Sequence, residues 1–413
     1  MATFKGENST ISLKEEDNGY AQPLTDYTGA KVFQNNSGSF QPSRNSLESE
    51  ARTPNAELSG QRLGNKNNSA SFPVEIDATN YDSVWESCLY STLAATGSAV
   101  TSSGIAVTST SAYTANLAIL DADQATVGIT IGDAFQLSAV SESSITSQLE
   151  GFAVVTAIDT DLVTFYLPQQ TATTISSITS DITVTPVRNM RPAKTRKSFN
   201  AEETLIAEDG TTTARFMSTG AIVSGMSIDL PSEGILTATT SFVASNYIPS
   251  ADYATFDTNL TNSSAAHTAT VAHETQEPLV LQDGAIISDS NDIRCQWISG
   301  TVNIENNTEP FFTGCNYEAR GAISGAFRVT LSYEALFESE EDFRSFENET
   351  TSRVFLRLKD RSSDKSILIY LPRFKRTAYT LTNDTGLVTA SVEGTALIED
   401  ATGNSLVLAI ANS

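Results

Sequence analysis

The chain has 413 residues, 39% of them hydrophobic, with 19 Phe and 12 Tyr. This composition supplies packed cores and excludes a disordered chain. Acidic residues number 49 against 25 basic ones, a formal net charge of −24. A chain of this charge repels nucleic acid instead of binding it by counterion release. The same charge also keeps a protein soluble, so both interpretations of the acidity stand at this point.

The residues that carry most enzyme and metal chemistry are few and badly spaced. Cys88, Cys295 and Cys315 follow no zinc or disulfide pattern, so we expect three reduced thiols, with a Cys295–Cys315 bond as the alternative. His267 and His273 lie in a polar stretch and fit no catalytic spacing. We therefore expect no catalytic site, no metal site and no cofactor.

No targeting or membrane signal is visible in the sequence. The first ten residues, MATFKGENST, lack a basic region followed by an apolar core. No run approaches the roughly 20 apolar residues of a membrane span. We predict neither an export signal nor a membrane-bound protein.

The first ninety residues divide into an arm and the start of a folded unit. Residues 1–45 are polar and without period, which favours an N-terminal arm that is loose by itself. In residues 46–92, alternation over Ser71–Asp77 predicts a strand. A short helix is predicted over Tyr81–Leu89, capped by Thr79 or Asn80, and its buried stripe is predicted to comprise Val84, Trp85 and Leu89.

Residues 93–190 change in composition, because Ser, Thr, Ala, Val and Ile dominate and no Lys or Arg occurs between Lys66 and Arg188. Short strands separated by turn residues predict a small all-β domain inserted into a host fold. The predicted strands include Ala134–Ala139, Gly151–Ile158 and Leu162–Leu167.

Stronger strand patterns return after the insertion, at Lys197–Glu203, Thr213–Met217, Gly220–Leu230 and Ile235–Val243. We assign residues 191–245 to the unit that residues 46–92 began. Residues 246–280 are a polar linker, and residues 281–413 form another β unit.

The second unit repeats the order of the first. Phe72–Ile76 precedes the first helix, and Phe327–Leu331 precedes a second helix near Glu341–Glu347, for which Ser339 and Asp342 would form a capping box. A strand, a turn and a strand follow in both units, at Ser198–Glu203 and Ala214–Met217 in the first and at Val354–Leu358 and Ile367–Leu371 in the second. Each unit then ends in an amphipathic strand after a glycine, as in the pair Gly234–Thr239 and Gly386–Ser391. We predict a duplicated β-sandwich whose first copy is split by the insertion.

One positive cluster lies in the second unit, at Arg353, Arg357, Lys359, Arg361, Lys365, Arg373, Lys375 and Arg376. Few aromatic residues lie between these cations, and no nucleic-acid-binding module is recognisable. We favour salt bridges to an acidic neighbouring subunit.

These patterns together resemble the tail tube proteins of siphophages, the phages with long non-contractile tails. The resemblance covers residues 46–90 with 196–245, and 281–410. It is carried by Phe72–Leu89, by Phe311–Gly314 with Gly321–Leu331, and by Ile367–Pro372 followed by Gly386–Asp400 and Leu406–Ile410. Residues 127–167, with Ile131-Gly132-Asp133 and Gly151–Val155, are similar to the small inserted domain of larger members.

The resemblance implies a mainly β fold with two tandem tail-tube β-sandwich domains, each with a short packing helix, and the inserted small all-β domain. It implies a structural, non-enzymatic subunit of the virion tail, assembled in the host cytoplasm, whose stacked rings enclose a channel for viral DNA. Rings of this family carry six copies of the fold, so a two-copy chain implies three chains with pseudo-sixfold symmetry, with a hexamer as the alternative. The implied partners are the chain itself, the tape measure protein and the terminator and tip proteins, with DNA passing but not bound.

In such a tube the polar face of the amphipathic strands lines the lumen, and alternation selects the residues. The lumen-lining candidates are Glu75, Asp77, Ser227, Asp229, Thr237, Thr239, Thr330, Ser332, Thr389, Ser391 and Glu393. A register error of one residue would move every one of them to the other face.

Two rival classes remain open on the sequence. A surface or adhesin-like protein of β-sandwich repeats shares the Thr and Ser richness, although an export signal or anchor is expected there. An enzyme with an unrecognised site is disfavoured by the missing catalytic constellation.

Overall fold

The computed structural model describes residues 3, 9–16, 19–22, 29–49, 60–95, 97–111, 114–141, 149, 151–167, 178–209, 213–252, 278–288, 291–360, 365–383, 386–400 and 403–411. The fold is mainly β, as predicted. His267, His273 and Arg361, which were considered above, lie outside the described residues.

The first third of the chain contains β1 (Thr10–Glu15), β2 (Lys31–Phe33), β3 (Gln41–Glu48), β4 (Gln61–Glu75) and α1 (Asp82–Leu89). The region predicted as an insertion contains β5 (Val100–Ser111), β6 (Thr114–Leu117), α2 (Asp121–Val127), β7 (Ala134–Ser138), β8 (Gly151–Asp159), β9 (Leu162–Tyr166), β10 (Ile178–Pro186) and β11 (Arg188–Met190). It is followed by β12 (Phe199–Ile206), β13 (Thr213–Asp229), β14 (Thr237–Ala244) and β15 (Asn246–Pro249).

The last third contains β16 (Ala285–Ser288), β17 (Asn291–Asp292), β18 (Trp297–Glu305), β19 (Glu309–Phe311), β20 (Gly321–Ile323), β21 (Arg328–Leu336) and α3 (Glu341–Glu347). It ends with β22 (Thr351–Lys359), β23 (Ser366–Asn383), β24 (Val388–Ala396) and β25 (Val407–Ala411). Short 3₁₀ turns lie at Ser250–Asp252 and Leu281–Asp283.

The same set of strand pairs occurs twice. We call β1–β4, α1 and β12–β15 repeat 1, and β16–β18, β21, α3 and β22–β25 repeat 2. In repeat 1, β1 pairs with β2 and β12, β13 pairs with β12, β14 and β15, and β4 pairs with β3 and β14. In repeat 2, β16 pairs with β17 and β22, β23 pairs with β22, β24 and β25, and β21 pairs with β18 and β24.

Two β-bulges fall at equivalent places in the repeats. The β12–β13 ladder shifts between Phe199 and Ala201, and the β22–β23 ladder shifts between Ser352 and Val354. The β13–β14 ladder shifts opposite Ser241 and Phe242, and the β23–β24 ladder shifts opposite Glu393 and Gly394. Because a bulge is a position-specific irregularity, these coincidences align the repeats residue by residue.

Eight strands form one antiparallel sheet that crosses both repeats, which we call the long sheet. Its order is β3–β4–β14–β13–β18–β21–β24–β23. Within the long sheet, repeat 1 contributes the first four strands and repeat 2 the last four. The two repeats meet where β13 is hydrogen-bonded to β18. The N-terminal halves of β13 and β23 leave the long sheet and pair with β12 and β22 in a second layer, which we call the outer layer.

A single hydrophobic core lies between the layers and runs through both repeats. In repeat 1 it contains a group of edge-to-face aromatic rings, with Phe33 and Phe40 packed on Phe72 and Phe242 at centroid distances of 5.5 to 6.1 Å. Such pairs contribute about 0.5–1.5 kcal/mol each beyond the area that they bury.

Strands β5 to β10 close into a six-stranded barrel in the order β10–β5–β6–β9–β8–β7. Closure leaves this small domain without exposed sheet edges. Its interior is a separate hydrophobic core that includes Val107, Phe135, Leu137 and Phe165, each with 0% exposure.

The barrel is inserted into repeat 1 but packs on repeat 2. Phe152 and Tyr166 of the barrel share a buried cluster with Phe355, Leu368 and Tyr370 of the outer layer. The rings of Tyr166 and Phe355 lie 5.8 Å apart, and β11 extends this layer by pairing with β25. The barrel thereby connects the two repeats at a second place.

The first residues differ from the expected arm. Among the described residues of 1–45, β1 pairs with β12 and β2 pairs with β1. The polar residues facing outwards hide the alternation of Ile11 and Leu13, which are buried in the core. Since β12 follows β1 by more than 180 residues, the local sequence around β1 does not indicate this pairing.

Two predicted strands were too short. A break was predicted between Met217 and Gly220, but β13 continues through Gly220, which has a φ of +64°. The strand predicted at Ile367–Leu371 extends to Asn383 as β23. Pro372 is tolerated because it lies at the bulge opposite Ser352 and Val354, where the ladder is interrupted.

Both predicted helices form, but neither has the predicted side-chain cap at its N-terminus. Helix α1 buries Val84, Trp85 and Leu89 as expected, but the donors of Thr79 and Asn80 bind Asp77 and do not cap the helix. Helix α3 has the predicted bounds. Its capping box does not form, because Asp342 instead accepts a hydrogen bond from Arg376 at 2.6 Å.

Candidate functional site: the polar face of the long sheet

Residues directly opposite each other in the long sheet share a face, so the strand registers define rows of side chains. One row crosses six strands without interruption. Its members, in spatial order, are Glu75, Thr237, Asp229, Thr301, Ser332 and Glu393. The row contains five of the predicted lumen residues.

The next rows on this face contain most of the others. Two residues further along the strands lies the row Pro73, Thr239, Ser227, Asn303, Thr330 and Thr395. On the other side of the first row lie the pairs Glu334–Ser391 and Leu336–Thr389. Ten of the eleven predicted residues therefore share one face of the sheet.

The opposite face of the same strands is the core side. Val74, Ala238, Ile228, Val302 and Leu331 occupy it with exposures of 1% or less. Because neighbouring side chains on a strand point to opposite sides, burial of this face leaves the polar face as the exposed side of the long sheet.

Asp77 is the predicted residue that does not lie on this face. It follows the end of β4 and is 6% exposed. Its carboxylate accepts hydrogen bonds from the backbone N–H groups of Thr79 and Asn80 at 2.8 and 2.7 Å. The alternation of Val74 to Asp77 stops at this turn, so Asp77 stabilises the entry to α1.

The electrostatics of the polar face are acidic. Its rows carry the carboxylates Glu75, Asp229, Glu305, Glu334 and Glu393, while Arg328 lies opposite Glu305. Thr301 donates a hydrogen bond to Asp229 Oδ1 at 3.1 Å, across the junction of the repeats. This contact joins the polar surfaces of the two repeats.

The centre of the face is concave. A depression of about 550 Å³ is lined by Asp229, Thr237, Ser332, Ser391 and Glu393 together with residues of β18. Hydroxyls and carboxylates without a convergent cation make a hydrated surface and not a site for an anion.

Sequence reasoning missed the contribution of β18. Thr301, Asn303 and Glu305 belong to the polar face, and they alternate with the buried Val302 and Ile304. The alternation was visible, but β18 had no counterpart in the predicted repeat. Its counterpart is β3, whose eight residues are all exposed and show no alternation.

The basic cluster of repeat 2 finds partners in its own chain. Arg376 is 5% exposed and binds Asp342, Lys375 binds Glu349 at 2.7 Å, and Arg353 lies 3.8 Å from Glu399. Arg357 stacks over the ring of Phe152 at 5.5 Å. These contacts fix the outer layer and the barrel, which is a role within the subunit.

The thiols and possible metal ligands are dispersed over the described part of the chain. Cys88 is buried, and burial raises its pKa to about 12, so this thiol is inert. Cys295 and Cys315 are exposed and unbonded, so the alternative disulfide does not form. No group of three His, Cys, Asp or Glu side chains able to hold a metal occurs in the described ranges. Within the same ranges, no helix has the length and apolar character to cross a membrane.

Comparison with solved structures finds a likeness to the Phage phi92 endosialidase, with 10% sequence identity and a TM-score of 0.16. The match covers 83% of this chain and 55% of the other, so the chain spans about half the length of that protein. At this TM-score the likeness carries no structural argument. No curated protein matches the chain.

Comparison with family models gives a match over nearly the whole sequence. The model of the family described as phage tail tube protein matches residues 6–396, which include repeat 1, the inserted barrel and repeat 2 up to the end of β24. The chain belongs to the phage tail tube protein family.

Proposed function

We propose that three copies of the chain close a ring with pseudo-sixfold symmetry, and that the polar face of the long sheet lines its channel. Membership of the family makes the chain a structural subunit of the virion tail that assembles with itself into stacked rings. The number of chains, the lumen face and the passage of DNA are the proposal.

One observation supports the proposal above all others. The modules β3–β4–β14–β13 and β18–β21–β24–β23 have the same order, and β13 joins β18 in a regular antiparallel ladder. A module that adds to its own copy in this way continues until it meets its starting edge, because each addition leaves the same free edge. Ring closure removes both edges, which are otherwise aggregation sites.

The strand number favours three chains over six. Eight strands from each of three chains make a barrel roughly 35–50 Å across the backbone, for strands about 4.8 Å apart and tilted by up to about 45°. Six chains would double that diameter and would put twelve repeats in a ring, whereas the family resemblance implies six. A hexamer of this two-repeat chain is therefore the less favoured alternative.

The domain boundaries proposed from the sequence require two changes. We infer that the first tube domain includes β1 to β3 and also β15, in addition to residues 46–92 and 191–245. Residues 93–190 remain the inserted domain, 250–280 the linker, and 281–413 the second tube domain. The packing of the barrel on the outer layer supports its position outside the channel.

The charge of the proposed lumen suits a passage without binding. Duplex DNA carries one negative charge per roughly 1.7 Å of its length. Three chains carry a formal charge of −72, three times −24, and each contributes the five carboxylates of the polar face. Phosphates meet no array of cations there, so DNA slides without finding a binding site.

The remaining proposals follow the family resemblance. We propose a long non-contractile tail assembled in the host cytoplasm, in which the rings stack around a tape measure protein. Terminator and tip proteins would bind the two ends of the tube. The rival proposal of a surface or adhesin-like protein is not favoured, given the family match.

Top-view averages from negative-stain microscopy of the purified chain test the proposal. We expect rings with six lobes, three-fold symmetry and an open channel, stacked into tubes. Rings of six chains would overturn the stoichiometry. Dispersed monomers under all assembly conditions would overturn the tube function in this form.

A further inference from the structure

We propose that the free edge of β23 and the apolar groove beside it bind β3 of a second copy of this chain, with Thr380 opposite Gln41. The inference rests on the proposed ring and adds the residues and the register of the contact between subunits. It is drawn from the contact that the two repeats already make inside one chain.

The exposure of β23 indicates a missing neighbour. The equivalence of the β13–β14 and β23–β24 ladders places Leu381 at the position of Ile228, and Tyr379 at that of Met226. Ile228 is 0% and Met226 4% exposed, whereas Leu381 is 48% exposed. In the described chain, β13 has β18 beside it, while the C-terminal half of β23 pairs only with β24.

The other edge of the long sheet carries the complementary strand. The equivalence of the β18–β21 and β3–β4 ladders places Gln41 at the position of Asn303. Inside the chain, Asn303 lies opposite Ser227, and Ser227 is equivalent to Thr380. Transferred to two chains, this register sets Thr380 opposite Gln41.

The side chains match in this register. Leu381 comes opposite Phe40 and Tyr379 opposite Pro42, which puts apolar groups together on the core side. Thr380 and Gln41 lie together on the polar face, as Ser227 and Asn303 do at the internal junction. A shift by one residue would set the apolar groups of β23 against the polar ones of β3.

The groove beside α3 also lacks the cover that α1 has. It has a volume of about 540 Å³ and is lined by Phe337, Phe343, Tyr379 and Leu381, with Glu340, Arg344 and Glu347 at its margins. Phe343 is 43% exposed, and α3 has no buried residue. By contrast, α1 buries five residues, including Trp85 and Cys88.

The end of α1 is covered by repeat 2 itself. Asn306, which directly follows β18, donates hydrogen bonds to the carbonyls of Cys88 at 3.0 Å and Val223 at 2.7 Å. Tyr90 and Ile222 are buried there against Ala322. Val223 is equivalent to Arg376, so the matching place in repeat 2 lies beside Lys375 and Glu349.

That matching place is open and charged. Lys375 and Glu349 form an ion pair, with side chains 34% and 75% exposed. Gln41 is equivalent to Asn303, so Arg44, three residues further on, is equivalent to Asn306. Arg44 is exposed on β3. Arg44 of the second copy would therefore approach Glu349 and Glu347, so that the charges are complementary at the end of the groove.

Engineered cysteines in assembled tubes test the register. In a C295S/C315S background, which removes the exposed thiols, the pair Q41C and T380C is oxidised and run on a non-reducing denaturing gel. We expect covalent dimers and trimers and no larger species from tubes that the microscope confirms. Cysteines bridge only at Cα distances of about 4.4–6.8 Å, which adjacent strands provide.

Two control variants isolate the inference. The pair S227C and N303C occupies the equivalent positions inside one chain and should give monomers with an internal bond. The pair Q41C and L381C places the thiols on opposite faces and should give no bond. Tubes without cross-links from Q41C and T380C would overturn this inference but not the proposed ring. Dispersed chains without cross-links would overturn this inference and the proposed ring. Covalent species of more than three chains would support the contact between β23 and β3 but overturn the three-chain ring.

Discussion

Leu381 and Ile228 occupy equivalent positions in the two repeats, yet Leu381 is 48% exposed and Ile228 is 0% exposed. Both lie near the end of a long strand on its core side. The difference arises because β13 is followed by β18, whereas β23 is the last strand of the long sheet. In the proposed ring, the exposed Leu381 is the place where the next copy would bind.

Replacing Leu381 by Asp should weaken assembly without unfolding the subunit. The side chain is half exposed in the single chain, so the monomer loses little, while a charge in the proposed seam is desolvated without a partner. We expect at least a tenfold higher concentration to be needed for tube formation, measured by sedimentation. Leu120→Asp is the control, since Leu120 is 61% exposed on the barrel, and normal tubes from Leu381→Asp would contradict the proposal.

The two equivalent helices should respond differently to truncation. Trp85→Ala in α1 removes a side chain that is 1% exposed and should lower the free energy of unfolding by about 3–5 kcal/mol. Phe343→Ala in α3 removes one that is 43% exposed and should cost the monomer less than about 1 kcal/mol. Chemical denaturation of unassembled subunits measures both, and equal losses would show that α3 is as buried in solution as α1.

Glu203 should make stability depend on pH in a defined direction. It is 5% exposed, and burial raises its pKa above 4.5 despite a hydrogen bond from the backbone of Phe40. Folding therefore disfavours the ionised form. The penalty is absent below the unfolded pKa of 4.5, grows as pH rises through the folded pKa, and is complete above it.

Glu203→Gln removes this penalty and should raise the free energy of unfolding at about pH 7. The advantage over the parent chain should shrink as the pH falls towards about 4, because the parent carboxyl becomes neutral as well. Urea unfolding of both proteins at several pH values measures the difference. A difference that stays constant with pH would show that ionisation of Glu203 is not its cause.

A charge reversal in the proposed lumen should create a DNA-binding tube. Glu393→Lys places a cation in the central row of the polar face, and in a ring of three chains it changes the formal charge from −72 to −66, six units, two per chain. We expect more short duplex DNA to co-sediment with the tubes at low salt, and the excess to disappear at high salt.

The matched control for the lumen is Asp159→Lys. It changes the net charge equally, but Asp159 is exposed on the inserted barrel. If Asp159→Lys retained as much DNA as Glu393→Lys, net charge and not the polar face would govern binding.

Removing the barrel should expose the outer layer of repeat 2. Phe355, Leu368 and Tyr370 are each 1% exposed or less under the barrel. Replacing residues 99–187 by a short Gly-Ser linker should yield aggregated protein, because a large apolar patch becomes accessible. Phe355→Glu should restore part of the solubility, since the equivalent residue in repeat 1 is Glu202. Soluble tubes from the simple deletion would show that the barrel is not needed to keep the outer layer of repeat 2 soluble.

Local signals were sufficient for much of the fold. The alternation on β14, β21 and β24 predicted these strands. Together with the alternation on β4 and β13 it predicted ten residues of the polar face, because a period of two maps directly onto the two sides of a sheet. Helix α3 was predicted with its observed bounds. The glycines before β14 and β24 aligned the repeats correctly, because hairpin turns place small residues at defined positions.

Signals that depend on distant partners were missed. Nothing near Asp342 indicates that it binds Arg376 on another strand instead of capping its own helix. The exposed β3 shows no alternation, because its role in the long sheet depends on β4 and on what lies beyond its free edge.

The sequence by itself determined the fold class, the repeated order of strands and helices, and the side of each amphipathic strand that avoids the core. These properties are local, since they depend on the spacing of apolar residues and on turn residues. Only the tertiary structure decided that the first residues belong to repeat 1, that the barrel packs on repeat 2, and that β13 joins β18. Each of these depends on contacts between segments far apart in the chain, whose complementarity is a property of surfaces in three dimensions.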